Sequence, residues 1–598
     1  MIKKLSYELN KNEETNPKGG VVSVWVSLKE FSKFLDGDLL NLIYAFILII
    51  INSAANVITP FIIAYALDNY INKGDLSGLG KVLLWLLIMY IVTVIVGYGQ
   101  GMMVGHISQR TLFRLRQALF EKLQDLPIAF FNQNKAGDLI SRINNDTDKL
   151  NQFLSESIAR FVGSFFSILG IAIFVLYINL KLGLVMLSSV LFLIIITKLL
   201  SPWIERQNKK NLTAVGLLSA SLQENINNFR VIIAYNKREY FRSHLEEMNK
   251  TTFDTAFISG TANRVFEPIY DFAGSIALIL VLSFGLYLIS SGSLTIGLLV
   301  AFVSYTQKFY DPLRILATIF GSIQLSVAAW SRIREIFALE NNIQTNKKDE
   351  VLNIKDIDNK IILKLDDVSF KYEGGENVIE NANLNFEIGK TYALVGPTGG
   401  GKSTLASIMS HLYEPSSGKV YLNGKPMSFY SNEERASMVS VILQDPILFS
   451  GTVLDNIKYG NKKIENLNEN EIENLLINKG FKEVIERFSK GLKTEINQSG
   501  GGLSIGQKQL ISFMRAVLRE PSLLILDEAT ANIDTITEAI LNKTLYSLPK
   551  HTTKIIIAHR LNTIKEADEI MFVNGHHVKP AGSFENAIKL IENSKRNS

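Results

Sequence analysis

Cysteine is absent from all 598 residues. Its absence excludes disulfides and thiolate metal sites, and it fits a reducing cytoplasm. Charge of one sign is also scarce. The 62 Lys and Arg against 57 Asp and Glu leave a formal net charge of +5, too little at this length to argue for any particular partner. The stretch from Met1 to about Gly20 is polar and charged, without the apolar core or cleavage site of a signal peptide. Apolar residues, by contrast, make up 47% of the chain, with a mean hydropathy of +0.16. That excess lies almost entirely before about Ala338, and the remainder has the composition of a soluble α/β domain.

Six apolar runs lie at about Leu39–Ala66, Leu79–Val104, Ile158–Ile178, Leu180–Leu200, Phe272–Ile289 and Leu294–Leu316. Each approaches the ~20 residues needed to cross hydrocarbon. Their connections alternate: Asp68–Gly78, Asn179 and Ser290–Ser293 are short, whereas Gly105–Ser157 and Ser201–Asp271 are long and basic. Arg110, Arg114, Arg116, Lys209, Lys210 and Arg230 among others place both long loops, and the N-terminus with them, in the cytoplasm. Helical periodicity persists through Gln109–Leu126 and Thr213–Asn227, so the spans are expected to run on well beyond the bilayer. Gly97, Gly101 and Gly105 form a small-residue face whose expected use is close helix packing. Asn52, Asn56, Gln100 and Gln307 either bond between helices or line a path, and Glu267 and Asp271 are the ionisable candidates for a water-filled cavity. Ahead of the first run, Ser27–Leu35 has helical apolar spacing. It reads either as a lead-in helix on the membrane surface or as a short packing helix. A polar, charged linker around Ile336–Lys355 ends this half.

The second half is organised around Gly396-Pro397-Thr398-Gly399-Gly400-Gly401-Lys402-Ser403-Thr404, which satisfies G-x-x-x-x-G-K-[ST] between an apolar strand and a helix. Glycines let backbone N–H groups surround phosphate oxygens, and the helix N-terminus adds a favourable dipole. Lys402 then reaches the β- and γ-phosphates of ATP, and the Ser403 hydroxyl ligates Mg²⁺. Leu523-Leu524-Ile525-Leu526-Asp527-Glu528 is a buried strand ending in two carboxylates. Asp527 suits the Mg²⁺-associated role and Glu528 a general base for the attacking water. Gln444 follows the strand-like Val439–Leu443 and can serve Mg²⁺-bound water or the γ-phosphate. His559 ends the strand Thr553–Ala558; it is structural or, at the same sheet edge, a contact to the γ-phosphate. Tyr372, before Glu373-Gly374-Gly375, stacks on adenine or belongs to the core or surface.

These pieces, with Leu503-Ser504-Ile505-Gly506-Gln507 as the signature and Asp534 after it, resemble the ATP-binding cassette family over essentially the whole chain. The resemblance implies an exporter-type half-transporter: an α-helical six-span transmembrane domain fused to a C-terminal α/β P-loop nucleotide-binding domain. Residues 1–36 would form the N-terminal cytoplasmic segment with its lead-in helix, 37–338 the transmembrane domain, 339–358 the linker and 359–598 the cassette. It further implies ATP and Mg²⁺ as cofactors, ATP-driven export of a small-molecule, lipid or peptide substrate across the cell membrane, and no nucleic acid partner. Asn132–Asp138 and Glu224–Tyr235 match the loop segments that meet the cassettes in that family. Each ATP would be closed in by the signature loop of a second half-transporter.

The family usually has Gly where Ile505 stands, so a backbone that favours glycine there would be strained. Asn497 and Gln498 replace the usual Gly and Glu, and Ala531-Asn532-Ile533-Asp534 replaces Ser-Ala-Leu-Asp. An altered signature beside an intact Glu528 resembles the competent chain of bacterial heterodimeric exporters, with a homodimer as the alternative. A nucleotide-gated channel or regulator, or an importer on the exporter fold, are the competing functions. Glu528 and His559 favour a hydrolysing pump.

Overall fold

In the computed structural model, residues 7, 9, 30–339, 360–372, 374–497, 501–527, 535–558 and 564–596 are described. The chain divides into two compact units. One holds 30–124 and 135–339, and the other holds 125–134 and the described residues from 360 onward.

The first unit contains six helices long and apolar enough to cross a membrane. They are built from α1 (Leu39–Ala66), α2 (Leu76–Gln124), α4 (Ala159–Ile178), α5 (Leu180–Asn227), α7 and α8 (Arg238–Arg264 and Phe266–Ser290), and α9 (Ile296–Ala338). Short helices intervene in the chain: α3 (Ile128–Gln133), which belongs to the other unit, then Ala136–Ser141, Thr147–Gln152 and α6 (Phe229–Ala234). The 49 residues of α2 span ~74 Å at 1.5 Å per residue, far more than the hydrocarbon core requires. A single residue joins α4 to α5: Asn179 is extended, and its side chain accepts from the Leu182 N–H, capping α5 at once. Within the apolar core several hydroxyls find partners on other helices. Tyr305 Oη donates to the Val57 carbonyl at 2.6 Å, and the hydroxyls of Ser189 and Tyr310 share a hydrogen bond.

One open alternative is decided here, for packing, and two expectations change. The described part of the lead-in stretch packs inward. Phe31 sits edge-on to Trp330 at 5.5 Å, and buried Asp38 is held by Arg110 at 2.9 Å and Arg114 at 3.1 Å. The small-residue face of α2 meets nothing within the chain, since a Cβ at Gly97, Gly101 or Gly105 would have no neighbour within 4 Å among the described residues. The first loop helix ends at Gln133, because Asn134 and Lys135 are extended, so the stretch Asn132–Asp138 straddles a break between two helices.

Arg142 is fully buried in this unit. Its Nε donates to Asp138 at 2.9 Å and its Nη1 to Glu335 at 2.8 Å, while Arg332 bridges to Asp146 at 3.1 Å. These pairs tie the 138–146 segment to the far end of α9.

The second unit holds an antiparallel pair, β1 (Ile361–Lys371) and β2 (Asn377–Glu387), and a largely parallel sheet. That sheet contains β3 (Thr391–Val395), β4 (Val439–Ile442), β5 (Leu523–Asp527), β6 (Thr553–Ile557), β7 (Glu569–Asn574) and β8 (His577–Pro580), in the order β8-β7-β3-β6-β5-β4. Helix α10 (Lys402–Met409) follows β3, and α11 (Ile505–Leu518) precedes β5. Successive β5 side chains face opposite ways. Leu523 and Ile525 join the core around α10, and Leu524 and Leu526 join the core around α11. Coverage on both faces explains why β5 reads as an unbroken apolar run.

His411, in the left-handed conformation at φ 58°, follows α10. Burial, aided by the Arg435 charge, pushes its imidazole down to about 4 from 6.5. The unfolded chain therefore binds a proton that the folded cassette refuses between those values. Stability is complete above the unfolded value and falls as the pH drops toward the folded one. Acidification from pH 7 to 5 is expected to cost the cassette about 2 kcal/mol through this group. Urea titrations of the wild type and His411→Phe at both pH values measure it, and an equal acid loss in the two would disprove it. Separately, Arg142→Ala leaves Glu335 without its guanidinium, while Asp138 keeps Arg332 at 2.5 Å, and is expected to destabilise the helical unit by about 3 kcal/mol, read from thermal melts in detergent.

Candidate nucleotide site

Strand register sets the geometry of the site. In the parallel ladders Ile557 is level with both Leu394 and Asp527, and Leu526 with Ile442. Four adjacent strands thus end on one line, and the chain beyond each emerges at the same carboxyl edge, where open α/β sheets bind ligands. The loop after β3 carries Gly396 to Gly401, the chain after β4 carries exposed Gln444, and β5 ends in Asp527.

The loop conformation demands glycine. Gly396, Gly399 and Gly401 have φ of 152°, 82° and 98°. A Cβ on Gly396 would stand 2.0 Å from the Val573 carbonyl oxygen, and one on Gly400 2.9 Å from the same atom. Only glycine lets the loop lie so close against β7. Lys402 is buried, and its ammonium donates to the carbonyls of Gly396 at 3.0 Å and Pro397 at 2.9 Å, which keeps the charge within the loop. Thr398 and Gly399 form the outer turn, closed by the Gly400 N–H on the Pro397 carbonyl at 3.1 Å, and Thr398 is exposed. Ser403, in the first turn of α10, donates to Asp527 Oδ1 at 3.2 Å. A hydroxyl and a carboxylate oxygen from two different elements are thereby brought together, and hard oxygen donors of this kind suit Mg²⁺. The loop and this pair fit a nucleotide triphosphate with its metal.

Tyr372 stands one residue beyond β1, with 42% of its surface exposed. Its hydroxyl bonds Thr404 Oγ1 at 3.0 Å, and its ring lies edge-on to Phe370 and Tyr413. Its partial exposure leaves part of the ring surface open to a base. Within the same unit Tyr413 accepts a hydrogen bond from Asn132 of α3, so the loop helix reaches the aromatic cluster behind Tyr372.

The signature sequence corrects an expectation. Ser504 caps α11, accepting from the Gln507 N–H at 3.2 Å while Gln507 Oε1 accepts from the Ser504 N–H at 3.0 Å. Ile505 is therefore the first helical residue, followed by Gly506, with an ordinary right-handed backbone and an exposed side chain. No strain arises, because the positive φ falls on Gly502 at 90° and not on Ile505. Leu503 packs against the core around α11. Glu528, Asp534 and His559 lie outside the described residues.

The wall supplied by the Val573 carbonyl had no sequence signal, since any residue offers that oxygen. In the helical unit, Glu267 pairs with Arg314 at 3.2 Å and both Glu267 and Asp271 are exposed. Neither borders the cavity described below, because both lie in the first turns of α8, where Arg314 is within reach.

Comparison with known proteins agrees with this geometry. A family model described as "ABC transporter transmembrane region" matches residues 42–313, and one described as "ABC transporter" matches residues 379–531. An "Uncharacterized ABC transporter ATP-binding protein YfiC" from Bacillus subtilis is 30% identical over 572 residues, covering 96% of this chain and 92% of the relative. An "ATP-dependent lipid A-core flippase" from Pectobacterium atrosepticum is 28% identical, covering 94% of this chain and 95% of the relative. A solved "bacterial Atm1-family ABC exporter with ATP bound" superposes with a TM-score of 0.76 at 21% identity, covering 93% of this chain and 98% of that one.

Gly396→Ala places a methyl group against the Val573 carbonyl and is expected to cost about 1–3 kcal/mol in forced displacement of the loop. ATP binding, followed by a fluorescent analogue, should weaken by at least about tenfold. Unchanged affinity would show that the loop does not form the phosphate cradle.

Proposed function

Because the chain belongs to the ABC transporter family, it is a multi-pass membrane protein that hydrolyses ATP to drive transport, and we propose that it is one half of a dimeric exporter of an amphipathic substrate. One observation carries the reading: Ser403 and Asp527 meet at 3.2 Å on the lip of a glycine loop, in a chain with six helices fit to cross a membrane. In this proposal Lys402 and the loop amides neutralise the phosphates, Ser403 and Asp527 hold Mg²⁺ with Gln444 on its water, and Tyr372 stacks on the base. Glu528 takes the proton of the attacking water, and His559 contacts the γ-phosphate. Ser504 and the N-terminus of α11 close over the nucleotide of the second half-transporter. By its resemblance to the family, Asp534 is assigned to the contact between the two cassettes.

Closure of the cassettes around two nucleotides would pull on the long loops and alternate the access of the spans. The basic residues of the two long loops support a cytoplasmic cassette. An amphipathic cargo is supported by the relative named as a lipid A-core flippase. A heterodimer is favoured over a homodimer because an altered signature stands beside an intact Asp527-Glu528 pair. With Ile505 unstrained, that argument rests on side-chain identity alone: an exposed isoleucine where the family carries no side chain.

Glu528→Gln removes the proton acceptor and is expected to lower ATP turnover by about 10²–10⁴-fold with ATP binding retained. ATP-dependent movement of a fluorescent lipid in inverted vesicles should be lost with it. Steady turnover in the variant would reject Glu528 as the base. Turnover in the wild type with no amphiphile moved in either direction would favour a nucleotide-gated function.

A further inference from the structure

Among the described residues, a cavity of about 180 Å³ lies between α1, α2, α4 and α9. Asn52, Ser53, Asn56, Gln100, Ser164 and Ser167 line it, in helices whose other surfaces are overwhelmingly apolar. The Asn52 amide donates to Gln100 Oε1 at 3.4 Å, and Ser53 donates to the Gly163 carbonyl at 3.4 Å. At its edge stands a charge. The Lys308 ammonium donates to both the backbone carbonyl and the side-chain oxygen of Asn56, each at 3.3 Å.

Depth makes this lysine unusual. It lies twelve residues into α9, or ~18 Å along the axis, and Asn56 lies ten residues before the end of α1, or ~15 Å. A hydrocarbon core ~30 Å thick that began at those helix ends would have both positions near its middle. Among the described residues no carboxylate comes within 4.0 Å of Lys308. The nearby acids are committed to Arg314, Glu267 at 3.2 Å and Asp311 at 3.7 Å. A cation at this depth is costly unless something neutralises it, and neutral amide oxygens solvate the charge without cancelling it.

Resting on the transport reading above, we propose that this cavity receives the anionic headgroup of the transported amphiphile, a carboxylate or a phosphate, paired with Lys308. The volume is about six waters' worth, enough for a headgroup and too small for a whole lipid. Amide and hydroxyl donors around the cavity complete the anion's hydrogen bonds, and the acyl chain stays among the apolar helices.

The test fixes the chain and varies the head. The full-length protein, with any subunit that co-purifies, is placed in phosphatidylcholine nanodiscs. Binding of dodecanoate, dodecyl phosphate and dodecyltrimethylammonium is then measured without nucleotide. Both anions should bind at least about tenfold more tightly than the cation. Lys308→Gln keeps a donor for Asn56 but loses the charge, and should reduce that preference to less than about twofold; Lys308→Arg should keep it. Asn56→Asp, which supplies an internal counter-charge while leaving Lys308 in place, should also abolish it. That arm decides the matter if Lys308→Gln fails to fold. Equal binding of anion and cation in the wild type, or a preference surviving in the charge-neutral variants, would overturn the proposal. So would full displacement of dodecanoate by acetate or inorganic phosphate at matched concentrations, which would identify a free-anion site. ATP turnover in the same discs is read independently. Its absence would remove the transport reading and leave the binding ratios standing.

Discussion

The hydrogen-bond register of the parallel sheet is the constraint on which the nucleotide site depends. With Leu394, Ile557 and Asp527 on one level, the chain leaves three neighbouring strands at a common edge. The glycine loop and the carboxylate then meet without any long-range search by flexible side chains. A slip of one residue in β5 would turn Asp527 toward a core and bring Leu526 to the edge. The packing of Leu523 to Leu526 against a core on each face holds β5 between its neighbours. The catalytic geometry is thus secured by side chains that never touch a nucleotide.

A different rule governs the helical unit. There the backbone is satisfied within each helix, and the residual problem is the polar side chains that apolar surroundings cannot solvate. The structure resolves it pairwise between helices: Tyr305 with Val57, Ser189 with Tyr310, Asn52 with Gln100. Lys308 is the exception, because its partners are neutral. Its partner Asn56 lines the polar cavity, which brings the charge within reach of that space.

Much of this was legible in the sequence, and the reasons for success and failure are physical. The glycine loop and the Asp527 strand are short, contiguous motifs whose chemistry needs fixed spacing, so flanking apolar runs were enough to place them. The six spans follow from hydropathy alone. What failed were inferences about faces and neighbours. Gly97, Gly101 and Gly105 do share a face, but periodicity says nothing about whether another helix lies on it. Lys308 was overlooked beside Gln307 because a single cation inside an apolar run barely changes the run's average. Ile505 was read through the family pattern rather than through Ser504 and Gln507, whose reciprocal capping dictates a helix.

The Arg142 cluster has a mechanical meaning. Its guanidinium grips Asp138 on one side and Glu335 on the other with no exposed surface, and Arg332 adds a second link to Asp146. Pulling these charges apart inside the protein would cost several kcal/mol, more than ordinary thermal rearrangement supplies. The 138–146 segment and the 332–335 stretch of α9 therefore behave as one rigid lever. A force applied at either point is delivered to the other without slack, and whatever flexing the long helices do must occur elsewhere along their length.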